Sequence, residues 1–282
     1  MKIFFIPDIE KIIASPESRF FKGYYWRDGK FHEKQIKTQA TLPTDKNLLK
    51  KIGLRKNEKV LFIAGYYGNW AKALAKAEVM VCYSDVSRNL VNYAKKSLRE
   101  KNIREYVCSD YTLIPSKSLE YDWTLSFEPI GTKQGLPIAM LRSLLNRKGG
   151  KLIVYPRVIE EIDSSKHYKS SRPLTKIAKI LCKVYKADYE ITKKIIEGKG
   201  QKGGELKKKH VILTIFTNNL TRKKAEFDLK LLSFIKNKKI IRISDLCNNF
   251  NTSEKKIIQS FRRIEKITKV LDRKFIKRIV IK

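Results

Sequence analysis

Residues Glu58–Leu74 read E-K-V-L-F-I-A-G-Y-Y-G-N-W-A-K-A-L, and the two halves of this stretch follow different rules. Val60–Ala64 is a continuous apolar run, as a parallel strand shows when both of its faces are buried. Gly65 and Gly68 come next, and glycine lets the backbone reverse sharply. The Ala/Lys/Leu run after them favours helix. A helix starting there points free N–H groups and the positive end of its dipole into the turn. Such a turn suits an anionic group, a carboxylate or a phosphate. Taken alone, the stretch reads equally well as a plain strand–turn–helix whose glycines serve only the turn.

The same alternation extends in both directions. Upstream, Asp45–Ile52 has a helical spacing of Leu48, Leu49 and Ile52 and stops at Gly53. Downstream, a helix runs to about Lys76, and a strand over Glu78–Tyr83 leads to Ser84-Asp85. The next helix carries Leu90, Val91, Ala94 and Leu98 on one face. Strand Tyr106–Ser109 ends at Asp110, and strand Trp123–Phe127 ends at Glu128-Pro129. A helix over Leu136–Leu145 and a turn at Lys148-Gly149-Gly150 precede strand Lys151–Tyr155. Arg172–Tyr185 reads as helix, Gly198–Lys209 as a Gly/Lys-rich loop and His210–Thr217 as a last strand. Strands alternating with helices of this length build crossover units. The expected fold class is therefore α/β, a doubly wound, mostly parallel sheet over 45–219.

Within that frame Asp85 lies 17 residues past Gly68, at the end of the second strand, where an acid can accept both hydroxyls of a ribose. Asp110 ends the third strand, where a neighbouring base would lie. This order resembles the S-adenosylmethionine-dependent methyltransferases of the doubly wound class, over about Leu48 to Asn219. The residues that carry the resemblance are I-G-L-R-K-N-E-K-V-L before the turn, D-V-S-R-N-L-V-N-Y-A-K-K at Asp85, and C-S-D-Y at Asp110. E-Y-D-W-T-L-S-F-E-P and R-K-G-G-K-L-I-V-Y complete the set. The resemblance implies S-adenosylmethionine as cofactor. Gly65, Tyr66 and Gly68 would lie at its methionine carboxylate, Asp85 at the ribose, Asp110 at the adenine amino group, and Ser126 is a further contact. The chain departs from the family's acid-x-Gly-x-Gly-x-Gly loop. Phe62 stands at the acid, Ala64 and Tyr66 at the first two glycines, and only Gly68 matches. Either the loop has shifted by one residue and uses Gly65, or the turn no longer holds the cofactor.

After the fourth strand the chain reads Ser126-Phe127-Glu128-Pro129-Ile130. This matches neither the Asn/Asp-Pro-Pro-aromatic of amine methyltransferases nor the Pro-Cys of 5-cytosine enzymes. Glu128 is the candidate catalytic group, since a carboxylate there can take a proton from a nucleophilic amine or hydroxyl. A capping or salt-bridged acid is the other reading.

The formal charge is +34, from 62 Lys/Arg against 28 Asp/Glu in 282 residues. A globular chain this basic meets polyanions, because each phosphate contact releases counterions. Solvated lysine faces are the alternative. The four cysteines are scattered and Cys82 and Cys108 read as buried thiols. The three histidines have no metal-site spacing, so no metal is expected. No apolar run approaches the roughly 20 residues of a membrane span, and Ile3–Ile6 is too short for a signal segment. A cytoplasmic location is expected, with no membrane partner.

The flanks are separate expectations. Residues 1–44 read as an N-terminal extension with a strand at Lys2–Ile6, a short helix from Pro7-Asp8 through Ile13, and a hairpin turning at Asp28-Gly29. Thr221–Lys282 holds 19 basic and 6 acidic residues and follows a winged-helix order: helix, Ile241–Ile243 strand, helix to Phe250, turn at Asn251-Thr252, helix from Ser253-Glu254 to Ile267, then a hairpin over 270–281. That last helix has Ile257, Ile258, Phe261 and Ile264 on one face. Lys255, Lys256, Gln259, Arg262, Arg263 and Lys266 lie on the other. With Arg273 and Lys274 of the wing they are the candidate nucleic-acid contacts. The expected function is methyl transfer to nucleic acid, RNA favoured over DNA. The competing one is a non-enzymatic nucleic-acid-binding protein whose methyltransferase-like domain serves as scaffold or sensor.

Overall fold

The structure is a computed structural model that describes residues 1–8, 11, 26–27, 30–31, 42–63, 65, 68–85, 88–108, 121–127, 136–154, 174–199, 204–269, 271, 273 and 276–282. In chain order the strands and helices begin with β1 (Lys2–Pro7), β2 (Trp26–Arg27), β3 (Lys30–Phe31), β4 (Leu42–Pro43), α1 (Leu48–Ile52), β5 (Lys59–Ile63) and α2 (Asn69–Lys76). They continue with β6 (Met80–Asp85), α3 (Arg88–Ser97), β7 (Ile103–Cys108), β8 (Trp123–Phe127), α4 (Leu136–Ser143), β9 (Gly149–Val154) and α5 (Leu174–Tyr185). The rest are β10 (Asp188–Lys199), β11 (Glu205–Phe216), α6 (Asn219–Ile235), β12 (Ile240–Ile241), α7 (Ile243–Phe250), α8 (Glu254–Thr268) and β13 (Ile276–Ile281).

Eight strands form one sheet in the order β4-β10-β11-β9-β8-β5-β6-β7. Pairings β6–β7, β5–β6, β5–β8 and β8–β9 are parallel, and β9–β11 and β10–β11 are antiparallel. From β5 the chain winds outward through β6 and β7, then returns to lay β8 and β9 on the other side. The sheet is therefore doubly wound, as the alternation in sequence implies. Val60, Leu61, Phe62 and Ile63 are all buried because β5 sits mid-sheet with both faces covered.

One face packs on α1, α2 and α3: Val60, Phe62, Val81, Tyr83 and Leu125 meet Ile52, Trp70, Leu74, Val91 and Ala94. The other face, over β9 and β11, packs Leu152, Val211, Leu213 and Ile215 against α4, α5, α6 and α8. Gly53 caps α1 with φ 67°, as its glycine allows. β2 and β3 pair Trp26 with Phe31 and Arg27 with Lys30, the register of the expected hairpin. The expected helix from Pro7 to Ile13 lies largely outside the described residues.

Two segments differ from the sequence reading. The stretch read as a Gly/Lys-rich loop over 198–209 supplies the facing ends of β10 and β11, which pair over twelve residues each. β10 escapes a pattern search because its outer edge is exposed and polar residues interrupt its isoleucines. The cross-strand ladder to β11 holds it.

The C-terminal helices form, but the hairpin expected over 270–281 does not account for β13. That strand pairs antiparallel with β1 from the chain's other end and parallel with β12. Phe4 and Ile6 are buried, and Phe4 stacks on Phe261 of α8 at 4.9 Å between ring centres. One apolar cluster then runs from β1 through α8, α6 and α5 to β9 and β11. The segment after 220 shares this cluster, since helix α6 buries Ala225, Leu231, Leu232 and Ile235 against the sheet's own helices.

Candidate active site at the switch between β5 and β8

In a doubly wound sheet the crevice forms beyond the carboxyl ends of the strands where the winding reverses. Here the reversal lies between β5 and β8, which pair Ile63 with Ser126. Three features lie at the carboxyl ends of β5, β6 and β8. The first is the turn from β5 to α2. Gly65 N–H donates to the Ser84 carbonyl at 2.9 Å, and Gly68 N–H to the Gly65 carbonyl at 2.9 Å. Gly68 is the N-cap of α2 with φ 76°, a left-handed conformation that favours glycine. Lys72 N–H donates back to its carbonyl at 2.7 Å.

The second feature is Asp85, which closes β6 with only 6% of its surface exposed. The third is a pair of buried hydroxyls. Ser84 Oγ and Ser126 Oγ have no hydrogen-bond partner among the described residues. A buried hydroxyl left without a partner loses about 1–3 kcal/mol, so such groups point to something that completes them. Ser84 escapes a reading of the sequence by motif, and its one signal there is its place next to Asp85.

The glycines have a second explanation. A Cβ at Gly65 would stand 2.3 Å from the ring of Tyr83, and one at Gly68 would stand 2.3 Å from Leu98 Cδ1. Tyr83 is fully buried, and Leu98 accepts the Tyr106 hydroxyl on its carbonyl at 2.7 Å. Gly65 is thus required by close internal packing and Gly68 by its left-handed φ of 76°, whatever occupies the crevice.

Tyr66, Asp110, Glu128 and Lys274 lie outside the described residues. Of the cofactor residues inferred from sequence, the structure therefore has Gly65, Gly68, Asp85 and Ser126 at the carboxyl ends of these strands. Their donor set fits S-adenosylmethionine or its demethylated product: a helix N-terminus for a carboxylate, a buried acid for ribose hydroxyls, and two hydroxyls seeking partners.

A further polar group sits away from those ends. Cys82 lies 3.7 Å from Glu105 Oε2, and the Tyr121 hydroxyl donates to the same oxygen at 3.3 Å. Burial pushes the Cys82 thiol up to about 12, with Glu105 adding to the effect, so it stays protonated and inert. Arg142 of α4 is buried too, and its Nε and one terminal nitrogen have no partner among the described residues. Burial lowers its guanidinium to about 10. Cys108, expected to be buried, is exposed at the end of edge strand β7.

On α8, Lys255, Lys256, Gln259, Arg262 and Lys266 are exposed, and Lys256 Nζ lies over the Phe227 ring at 4.8 Å. Arg273 is exposed as well. Arg263 is the exception. It turns inward to Asp228 of α6, donating from Nε at 2.8 Å and from its terminal nitrogen at 2.6 Å. Helical spacing puts it beside Arg262, but a residue at the border of a polar stripe goes wherever its partner is. The partner, Asp228, gives a sequence signal only as an acid at a position that an apolar helix face would otherwise fill.

No protein-family model matches the chain, and no curated protein matches it. Solved structures do. Magnesium protoporphyrin IX methyltransferase from Synechocystis PCC 6803, with bound SAH, is 15% identical, over 72% of this chain and 100% of that one, at a TM-score of 0.46. The YcgJ protein from Bacillus subtilis is 12% identical over 61% and 97%, at 0.43. A predicted O-methyltransferase from Agrobacterium tumefaciens is 16% identical over 62% and 82%, at 0.41. Among the described residues no cluster of His, Cys, Asp and Glu could hold a metal, and no helix is long and apolar enough to cross a membrane.

Proposed function

We propose that this chain is an S-adenosylmethionine-dependent methyltransferase acting on nucleic acid, with RNA favoured over DNA. The observation that carries the first part is the placement, at the carboxyl ends of β5, β6 and β8, of the α2 N-terminus, the buried Asp85 and a Ser126 hydroxyl without a partner among the described residues. Bound there, the cofactor would supply an activated methyl group. Asp85 would orient the ribose, and Gly65 and Gly68 would leave the α2 N–H groups clear for the carboxylate. Glu128, which follows β8 in the chain, would accept the proton released by the nucleophile.

Isothermal calorimetry on the full chain tests this. S-adenosylhomocysteine should bind saturably, and Asp85→Ala should weaken it by about 1–3 kcal/mol, the usual cost of stranding polar partners. No heat at millimolar ligand would remove the cofactor. With labelled methyl donor and total RNA, Glu128→Gln should slow transfer by roughly 10²–10⁴-fold with binding unchanged. Binding without transfer would favour the second reading, a nucleic-acid-binding protein that senses the cofactor or keeps the fold as scaffold. One observation supports that reading: the packing at Gly65 and the left-handed φ at Gly68 already account for both glycines.

The nucleic-acid part rests on α8. Lys255, Gln259, Arg262, Lys266 and Lys269 are exposed at intervals of four and three residues, a single stripe along the helix. Arg262→Ala with Lys266→Ala in the full chain should weaken binding to duplex or structured RNA. The double change should also flatten the salt dependence by up to about two units of slope. The melting temperature should not move, because neither side chain touches the core. Unchanged binding would take α8 out of the interface.

A further inference from the structure

β10 is the outer partner of β11, and among the described residues the sheet continues beyond it only at Gly198 and Lys199, where β4 pairs. Residues 188–195 are exposed or half-exposed throughout, although they form a regular strand. The direction of the edge groups follows from the end that is paired. Glu197 N–H donates to Asp45 Oδ2 at 3.0 Å, and its carbonyl accepts from Thr44 N–H at 3.0 Å, both on the side away from β11. With a period of two, the N–H and C=O groups of Tyr189, Ile191, Lys193 and Ile195 point the same way. The same residues put large apolar side chains in the open: Tyr189 is 39% exposed, Ile191 40% and Ile195 56%. A long, exposed, apolar edge whose outward main-chain groups have no partner among the described residues is a surface natural proteins normally cover or blunt.

The strand's charges indicate what covers it. Asp188 and Glu190 lie at one end, Lys193 and Lys194 toward the other. Laid antiparallel on its own copy about Thr192, Glu190 faces the partner's Lys194, and Lys194 faces the partner's Glu190. Tyr189 faces the partner's Ile195. In that register Tyr189, Ile191, Lys193 and Ile195 fall at hydrogen-bonded pairs, each exchanging two main-chain bonds. Glu190 and Lys194 fall at the closer non-hydrogen-bonded pairs, where side chains interact most. A one-residue slip would lose both the outward-pointing bonds and the charge match.

We propose that β10 is a self-association edge, pairing antiparallel with β10 of a second copy across a two-fold axis at Thr192 to make one continuous sheet. Such an interface is isologous, so each charge pair occurs twice. The net +34 of each copy opposes association at long range, and salt screens that repulsion within about 10 Å at 0.1 M. Salt screens the Glu190–Lys194 pairs as well as this repulsion, so dimerisation changes little in net as salt rises, whereas any assembly bridged by nucleic acid weakens steeply.

Sedimentation equilibrium of the nuclease-treated full chain, from micromolar to tens of micromolar, tests the proposal. The parent should be a dimer. Glu190→Lys and Lys194→Glu, made singly, should each raise the dissociation constant about tenfold or more, because two like-charge pairs replace two complementary ones. The double swap Glu190→Lys/Lys194→Glu should restore it. Lys193→Pro, which deletes an outward N–H and leaves the β11 ladder intact, should give a folded monomer by circular dichroism. A parent that stays monomeric overturns the proposal. So does a dimer indifferent to the single swaps, or one that dissolves with nuclease treatment or rising salt.

Discussion

Asp228→Ala is expected to destabilise the protein by about 3–5 kcal/mol, a large share of the 5–15 kcal/mol that holds a typical domain folded. Asp228 has no exposed surface, and its two carboxylate oxygens bind four donors. Arg263 clamps it bidentately from α8, Ser260 donates to Oδ1 from the same helix, and Tyr185 donates to Oδ2 at 2.7 Å from α5. Burial on its own would lower the Arg263 guanidinium, but the hydrogen bonds and charge of Asp228 outweigh it and hold it above its ordinary value. Removing the acid strands a buried cation and two hydroxyls at once, and the loss exceeds the worth of any one bond. Urea unfolding followed by circular dichroism would read it as a lowered midpoint at constant slope. The double replacement Asp228→Leu/Arg263→Met should recover the share due to the stranded cation, since apolar groups of similar size often serve as well as a buried ion pair. The Tyr185 and Ser260 hydroxyls stay without their acceptor. A loss below about 1 kcal/mol for Asp228→Ala would show that the network does not hold α5, α6 and α8 together.

Acid should destabilise the protein through His210. This residue of β11 is buried, with Nδ1 at 2.9 Å from the Lys208 carbonyl and its ring edge-on to Trp70 at 5.9 Å between centres. Burial lowers its imidazole from 6.5 to about 4, and the Lys208 charge adds to the effect. The folded state therefore keeps His210 neutral over a range where the unfolded chain binds a proton. Stability falls as pH drops below about 6.5 and levels off below about 4. The total loss is on the order of 3 kcal/mol, since each pH unit across that interval is worth about 1.4 kcal/mol. His210→Gln should flatten this slope, whatever it does to stability at pH 7. An equal loss in the variant between those limits would assign the acid sensitivity elsewhere.

The parallel core was legible because buried strands carry it in their own composition. Val60–Ile63 and Leu152–Val154 are apolar runs near turn residues, and such runs have few other places to go. The positions of Asp85 and Ser126 toward the carboxyl ends of β6 and β8 were legible for a related reason: the order of elements fixes strand ends, and that order can be read along the chain. The C-terminal helices were readable from their 3.6-residue apolar spacing.

Pairings between residues far apart in sequence were not legible. Nothing in Lys2–Pro7 announces β13 as its partner nearly the whole chain away, so the sequence pointed to a local hairpin for the wing. Helix periodicity placed Arg263 on a polar face, yet it carries no information about an acid on α6, and Coulomb attraction across the core decided the direction of that side chain. The exposure of β10 likewise depends on how many strands lie outside it. Local propensity and period chose which segments became strand or helix. Long-range pairing, burial and charge chose the neighbours, because those energies arise only between elements that the folded chain has already brought together.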